Sequence, residues 1–191
     1  MLFVKDFSIH GPSGPIVKNI SFKIKKGKCL ALVGESGSGK SMIALTLMGL
    51  LPPQLNASDY SESKKVKAIK KAMIFQEPMS SLNPTMRVGE QIMEGAMTSL
   101  KLTKRQAKEE AIMWIDKVKI KNAETAFLKY PHQLSGGERQ RVMIAMAMIM
   151  QPELLIADEP TTALDQRVAD DILSLIHDLQ TEKQISLLFI S

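Results

Sequence analysis

The residues with the clearest chemical potential are Gly34, Glu35, Ser36, Gly37, Ser38, Gly39, Lys40 and Ser41, set between an apolar run at 29–33 and a helix-like segment. A strand, a glycine-rich turn and a helix in that order can cradle phosphate. Glycine permits backbone conformations that side chains block, so successive N–H groups can face phosphate oxygens at the positive end of a helix. Lys40 can then reach β- and γ-phosphates, and the Ser41 hydroxyl can ligate Mg²⁺. A glycine turn that merely precedes a helix does not call for the Lys-Ser pair at this spacing.

A second element is the apolar run 154–157 ending in Asp158 and Glu159. Ligands of open α/β sheets lie at strand ends, so Asp158 can face the metal of a nucleotide on the glycine loop, and Glu159 can act as general base toward water. Alternatively both acids cap a helix or face solvent. The third element is Ser135, Gly136, Gly137 and Glu138. Ser135 and Glu138 have the spacing of a capping box, which only starts a helix. Two consecutive glycines go beyond that need, leaving N–H groups open to a phosphate favoured by the helix dipole. Both readings are compatible.

The elements positioning these residues follow from periodicity. Segments 2–9 and 16–24 read as strands, and 25–28 turns into the loop strand. A helix is expected over 40–51, stopped by Pro52 and Pro53. Residues 55–71 are polar, with Lys64, Lys65, Lys67, Lys70 and Lys71 read as a solvated helix face. A buried strand is expected at 72–75, then a helical section over 80–133. Thr103 and Gln106 fit a capping box there, followed by Ala107, Ala111, Trp114, Ile115 and Val118 at helical spacing, with Trp114 in the core. Strands resume at 153–157 and 185–190, separated by a helix with Val168, Ile172, Leu175, Ile176 and Leu179 on one face. This alternation indicates an α/β fold with a mostly parallel sheet covered on both sides.

Composition sets wider bounds. The 191 residues, 45% hydrophobic and 24% charged, suit a globular chain rather than a disordered one. The net charge of +5 comes from scattered basic residues and selects no partner. A single cysteine, Cys29, leaves no internal disulfide framework and fits a reducing cytoplasm; its apolar strand suggests a packed thiol. The amino end has no charged-then-apolar leader. The longest apolar run, 142–150, is nine residues, against roughly 20 for a spanning helix, so membrane association is expected to go through another protein.

Together these motifs resemble the ATP-binding subunits of ATP-binding cassette (ABC) transporters, over essentially the whole chain. Gly34 to Ser41 resembles Walker A, Gln76 the Q-loop glutamine, and Leu134 to Glu138 the family signature. Leu154 to Glu159 resembles Walker B, and Ala163-Leu164-Asp165 the D-loop. The runs 74–85 and 130–165 are similar to the ATPases of bacterial dipeptide, oligopeptide and nickel importers. The resemblance implies a P-loop NTPase core with a mostly parallel sheet, an N-terminal antiparallel β part and an inserted helical subdomain. Residues 1–191 then form a single nucleotide-binding domain, with 1–79 and 136–191 as core and 80–135 as helical subdomain.

It also implies ATP and Mg²⁺ as cofactors. Lys40, Ser41 and Asp158 hold MgATP, and Gln76 contacts the metal or water. Glu159 assists hydrolysis, while Ser135, Gly136, Gly137 and Glu138 of a partner close over the γ-phosphate beside the D-loop Asp165. The implied partners are integral-membrane permease subunits, a second ATP-binding subunit in a homo- or heterodimer, and indirectly an extracytoplasmic solute-binding protein, with no nucleic acid. The location is peripheral, at the cytoplasmic face of the cell membrane. Solute choice between peptide and nickel lies outside such a subunit.

Departures from the family pattern are specific. Glu138 stands where Gln is more frequent. The family's switch histidine is expected directly after Ser191, so the domain reads as C-terminally incomplete; one missing donor near the γ-phosphate costs about 10²–10³ in turnover. The interval 51–72 lacks a β-rich stretch, and the aromatic position for adenine stacking falls to His10, then Phe7. Two other readings remain open: an ATP-binding fragment or degenerate subunit with little turnover, and a soluble non-transport ABC ATPase.

Overall fold

Alternating apolar positions build the first hairpin of the computed structural model, which describes residues 2–58, 69–77 and 81–191. Strand β1 (Leu2–Gly11) pairs antiparallel with β2 (Gly14–Ile24), from Leu2 opposite Ile24 to Gly11 opposite Gly14. The register shifts between Val4 and Phe7, Phe7 and Ile9, and Ile9 and His10. Asp6 (φ 51°) and Asn19 (φ 46°) lie in these interruptions. Their N–H groups donate to Ser21 Oγ at 2.9 Å and Ser8 Oγ at 2.8 Å, so the irregular backbone keeps its hydrogen bonds. A short β4 (Asn56–Ala57) pairs antiparallel with β1, giving the order β2-β1-β4.

A second sheet has the order β3-β7-β6-β5, formed by β3 (Cys29–Leu32), β5 (Lys71–Ile74), β6 (Leu154–Asp158) and β7 (Ser186–Ile190). β3 and β6 each run parallel to β7. All five residues of β6 are buried, the four apolar ones at 154–157 and the terminal Asp158, as expected of a strand inside a parallel sheet. α1 (Lys40–Met48) contacts β6. Two compact units result. The first comprises Met1–Met73, Glu153–Asp158 and Gln180–Ser191, with Ile9, Ile24, Ile43, Leu47, Leu154, Ile156 and Leu188 in its core.

The second unit comprises Ile74–Pro152 and Glu159–Leu179. α2 (Val88–Leu100), α3 (Lys104–Lys117) and α5 (Gly136–Ile149) contact one another, and the short α4 (Ala123–Phe127) contacts α2 and α3. Thr103 Oγ1 accepts the Gln106 N–H while Gln106 Oε1 accepts the Thr103 N–H at 3.0 Å, closing the expected capping box of α3. Ala107, Ala111, Trp114, Ile115 and Val118 are all buried. α6 (Gln166–Lys183) buries Ala169, Ile172, Leu175, Ile176 and Leu179 along one stripe. No helix among the described residues is long and apolar enough to cross a membrane.

Four expectations change. α1 ends at Met48, ahead of Pro52: Gly49 adopts φ 75°, its N–H donates to Thr46 O and the Leu50 N–H donates to Leu45 O at 2.8 Å. This paired closure needs a left-handed residue, which glycine supplies without a Cβ penalty, so the glycine stops the helix first. Lys71 opens β5 rather than lying on a helix, and its ammonium donates to Leu47 O at 2.8 Å. Lys70 lies in the irregular backbone before that strand, while Lys64, Lys65 and Lys67 fall outside the described residues. Cys29 is exposed rather than packed, because β3 is a terminal strand of its sheet. Phe7 is 1% exposed in the core, so it presents no ring for stacking, whereas His10 on the same strand is exposed.

Candidate nucleotide-binding site

In the first unit, β3 runs into the glycine loop and the loop into the first turn of α1. Gly39 sits at the N-cap with φ 90°. A Cβ there would lie 2.7 Å from Val17 Cγ2, so both backbone conformation and space require glycine. The Ser38 N–H donates to Glu35 O at 3.2 Å, folding the loop on itself. Lys40 is 8% exposed, and its ammonium donates to Gly34 O at 2.6 Å and Glu35 O at 3.0 Å. Unpaired, a buried ammonium would be strongly disfavoured; the loop carbonyls hold the cation at the helix N-terminus. The α1 dipole and unpaired first-turn N–H groups add positive potential there, and no acid occupies that turn.

Ser41 follows in the first turn of α1, and Asp158 closes the buried strand β6 at 4% exposure. A hydroxyl and a carboxylate are hard oxygen donors suited to Mg²⁺. No group of three His, Cys, Asp or Glu residues that could hold a metal ion occurs among the described residues. Mg²⁺ held by this donor set would therefore complete its shell with phosphate oxygens and water, the usual Mg²⁺ pattern.

In the second unit, Gln76 Nε2 donates to Glu159 Oε2 at 2.8 Å, and Thr162 Oγ1 donates to the same oxygen at 3.0 Å. Glu159 has φ 43°, an uncommon conformation for a residue with a side chain, costing about 1–3 kcal/mol and persisting only where the surroundings impose it. Thr162 lies inside the importer-like run 130–165, but the sequence assigns it no role. Only its spacing three residues past Glu159, with Pro160 between, hints at a turn.

The segment from Ser135 to Glu138 also lies in this unit. Ser135 caps α5: its N–H and Oγ–H each lie 2.9 Å from Glu138 Oε2, and its Oγ accepts the Glu138 N–H. Burial alone would raise the Glu138 carboxyl pKa, but the Ser135 backbone and hydroxyl hydrogen bonds, helped by Lys129, hold it below the usual range. Arg139 Nε donates to Pro131 O at 2.7 Å, tying the helix to the preceding 3₁₀ turn (Pro131–Gln133). Gly137 has a packing role that the sequence did not reveal: a Cβ there would lie 2.7 Å from Val168 Cγ1. Asp165 accepts the Val168 N–H through Oδ1 at 3.1 Å, capping the start of α6.

A strand feeding a glycine loop, a buried lysine at the following helix N-terminus and a buried carboxylate at a parallel strand end define a P-loop nucleotide-binding fold. Comparison with known proteins narrows the class: the ABC transporter family model matches residues 17–162, and the chain belongs to that family. It is 44% identical to the oligopeptide transport ATP-binding protein OppD of Escherichia coli K12, with the whole chain aligned to 62% of that protein. It is 45% identical to the glutathione import ATP-binding protein GsiA of the same strain, over 92% of this chain and 31% of GsiA. The chain thus spans less than two thirds of either relative.

Among solved structures, the dimeric post-hydrolysis state of the ATP-binding cassette MJ0796 bound to ADP and Pi gives a TM-score of 0.81 at 25% identity. The match covers all of this chain and 88% of that one. CbiO1 from Clostridium perfringens, part of the ABC transporter complex cbiONQ, gives 0.79 at 27% identity, covering 99% and 77%.

Proposed function

We propose that the chain is the ATP-binding and ATP-hydrolysing part of an ABC importer for peptides. The carrying observation is the buried Lys40 ammonium at the α1 N-terminus, held among the described residues by the loop carbonyls of Gly34 and Glu35, which a triphosphate can replace. The peptide assignment rests on the likeness to OppD and GsiA, whose names specify oligopeptide transport and glutathione import. Gly34 to Ser41 receive the phosphates, and Ser41, Asp158 and Gln76 are assigned to Mg²⁺, which would neutralise charge on the β- and γ-phosphate oxygens.

Glu159 accepts a proton from water as the water oxygen attacks the γ-phosphorus. The bond to the β–γ bridging oxygen breaks, and that oxygen leaves with its electron pair on ADP. Ser135, Gly136, Gly137 and Glu138 of a second ATP-binding subunit cover the triphosphate, with Asp165 at the shared boundary. Closure and reopening drive permease subunits at the cytoplasmic membrane face, supplied by an extracytoplasmic solute-binding protein. The boundaries 1–79 with 136–191 for the core and 80–135 for the helical subdomain belong to the same proposal.

Equilibrium binding of MgATP tests this reading. The purified chain should bind, and Lys40→Ala should weaken affinity by about 10²-fold, the scale of losing one or two charge-assisted hydrogen bonds. Undiminished affinity in a folded Lys40→Ala variant would overturn the loop assignment.

A further inference from the structure

We infer that Thr162 is a positioning residue for the Glu159 carboxylate, an inference that rests on the hydrolytic reading of Glu159 above. Glu159, Pro160, Thr161 and Thr162 form a turn with φ 43° at Glu159 and the Thr162 N–H approaching Glu159 O at 3.4 Å. Proline at the second position restricts φ and limits the paths by which Thr162 can leave the turn. The Thr162 hydroxyl therefore returns to the acid three residues earlier, donating to Glu159 Oε2 at 3.0 Å.

The same oxygen accepts Gln76 Nε2 at 2.8 Å, giving it two donors from separate parts of the unit. Two converging donors on Oε2 fix the carboxylate plane more tightly than one, and Oε1, with no hydrogen bond among the described residues, is the oxygen directed to receive a water proton. Thr162 and Gln76 differ in how they can act. Thr162 is joined to Glu159 through Pro160 and Thr161, so its hydroxyl stays within reach of the acid wherever that turn moves. Gln76 is 83 residues distant along the chain, and its contact depends on the backbone after β5. The threonine is thus the local donor to the carboxylate and the glutamine the long-range one.

The test compares wild type, Thr162→Val and Thr162→Ser, each alone and in a Glu159→Gln background, in the assembled ATPase. Valine keeps the shape and removes the donor; serine restores it. Thr162→Val should lower kcat about 10-fold, leave the KM for ATP within about twofold, and prolong the ATP-bound dimer seen by size-exclusion chromatography. Thr162→Ser should recover most of the loss, and Thr162→Val should cause no further loss in the Glu159→Gln background, because the threonine acts through that carboxylate. Wild-type kcat in Thr162→Val, no recovery with serine, or an additional loss without Glu159 overturns the inference. Absence of MgATP affinity in wild type would instead overturn the reading beneath it.

Discussion

Replacing Gly137 by Ala separates the packing role of the signature glycine from its proposed role toward a partner's nucleotide. The added Cβ would lie 2.7 Å from Val168 Cγ1, roughly 0.8 Å inside the favourable carbon–carbon separation. Overpacking of this kind costs about 1–3 kcal/mol, while removing a glycine from a helix returns up to about 1 kcal/mol. The net destabilisation is therefore about 1 kcal/mol, lowering Tm by about 2–4 °C for a chain of this size. Val168→Ala opens the space at a cost of about 1 kcal/mol, so the pair should couple favourably by about 1–3 kcal/mol. Thermal unfolding of both single variants and the double variant, followed by circular dichroism, measures that coupling. A Gly137→Ala variant as stable as wild type, or a double variant showing simple additivity, would refute the steric argument. ATP turnover supplies the second readout: if the backbone of Gly137 must approach a phosphate closely, stability returns in the double variant and turnover does not.

Three further outcomes follow from the same geometry. Glu159→Gln should retain MgATP binding and accumulate an ATP-bound dimer, because its amide oxygen can still accept from Gln76; steady-state hydrolysis equal to wild type would remove Glu159 from the base role. Ser135→Arg should leave MgATP binding by the isolated chain intact and block turnover in the dimer, and lost binding by a folded monomer would contradict the assignment in trans. Cys29 should react with a disulfide reagent in the native state because it is exposed, yet more slowly at neutral pH than a free thiol. Partial burial in the strand raises its thiol pKa, leaving less thiolate at a given pH; a rate equal to that of a free model thiol would refute this.

The parts legible in sequence depend on neighbours a few residues apart. The capping boxes at Thr103–Gln106 and Ser135–Glu138, the strand-loop-helix around Lys40 and the apolar run of β6 all arise from local spacing, and the structure contains each of them. Even local reasoning misjudged the end of α1, where Gly49 takes the left-handed closure before the prolines are reached. The second choice for adenine stacking, Phe7, fails for a related reason. Three register shifts in β1 reset the alternation of its faces, sending Phe7 inward and leaving His10 exposed.

By itself, the amino-acid order determined the glycine loop ahead of Lys40, the paired acids at 158 and 159, the capped turn at Ser135 to Glu138 and the alternation of strands and helices, because short-range hydrogen bonds and side-chain periodicity are set by covalent proximity. Tertiary structure decided which strand became terminal and so exposed Cys29, which carbonyl received Lys71, why Gly137 must be small beside Val168, and which donors converge on Glu159. Apart from the Thr162 contact, which is made within one turn, those outcomes require segments distant in the chain to meet, and their partners are chosen by sheet order and close packing rather than by local residue spacing.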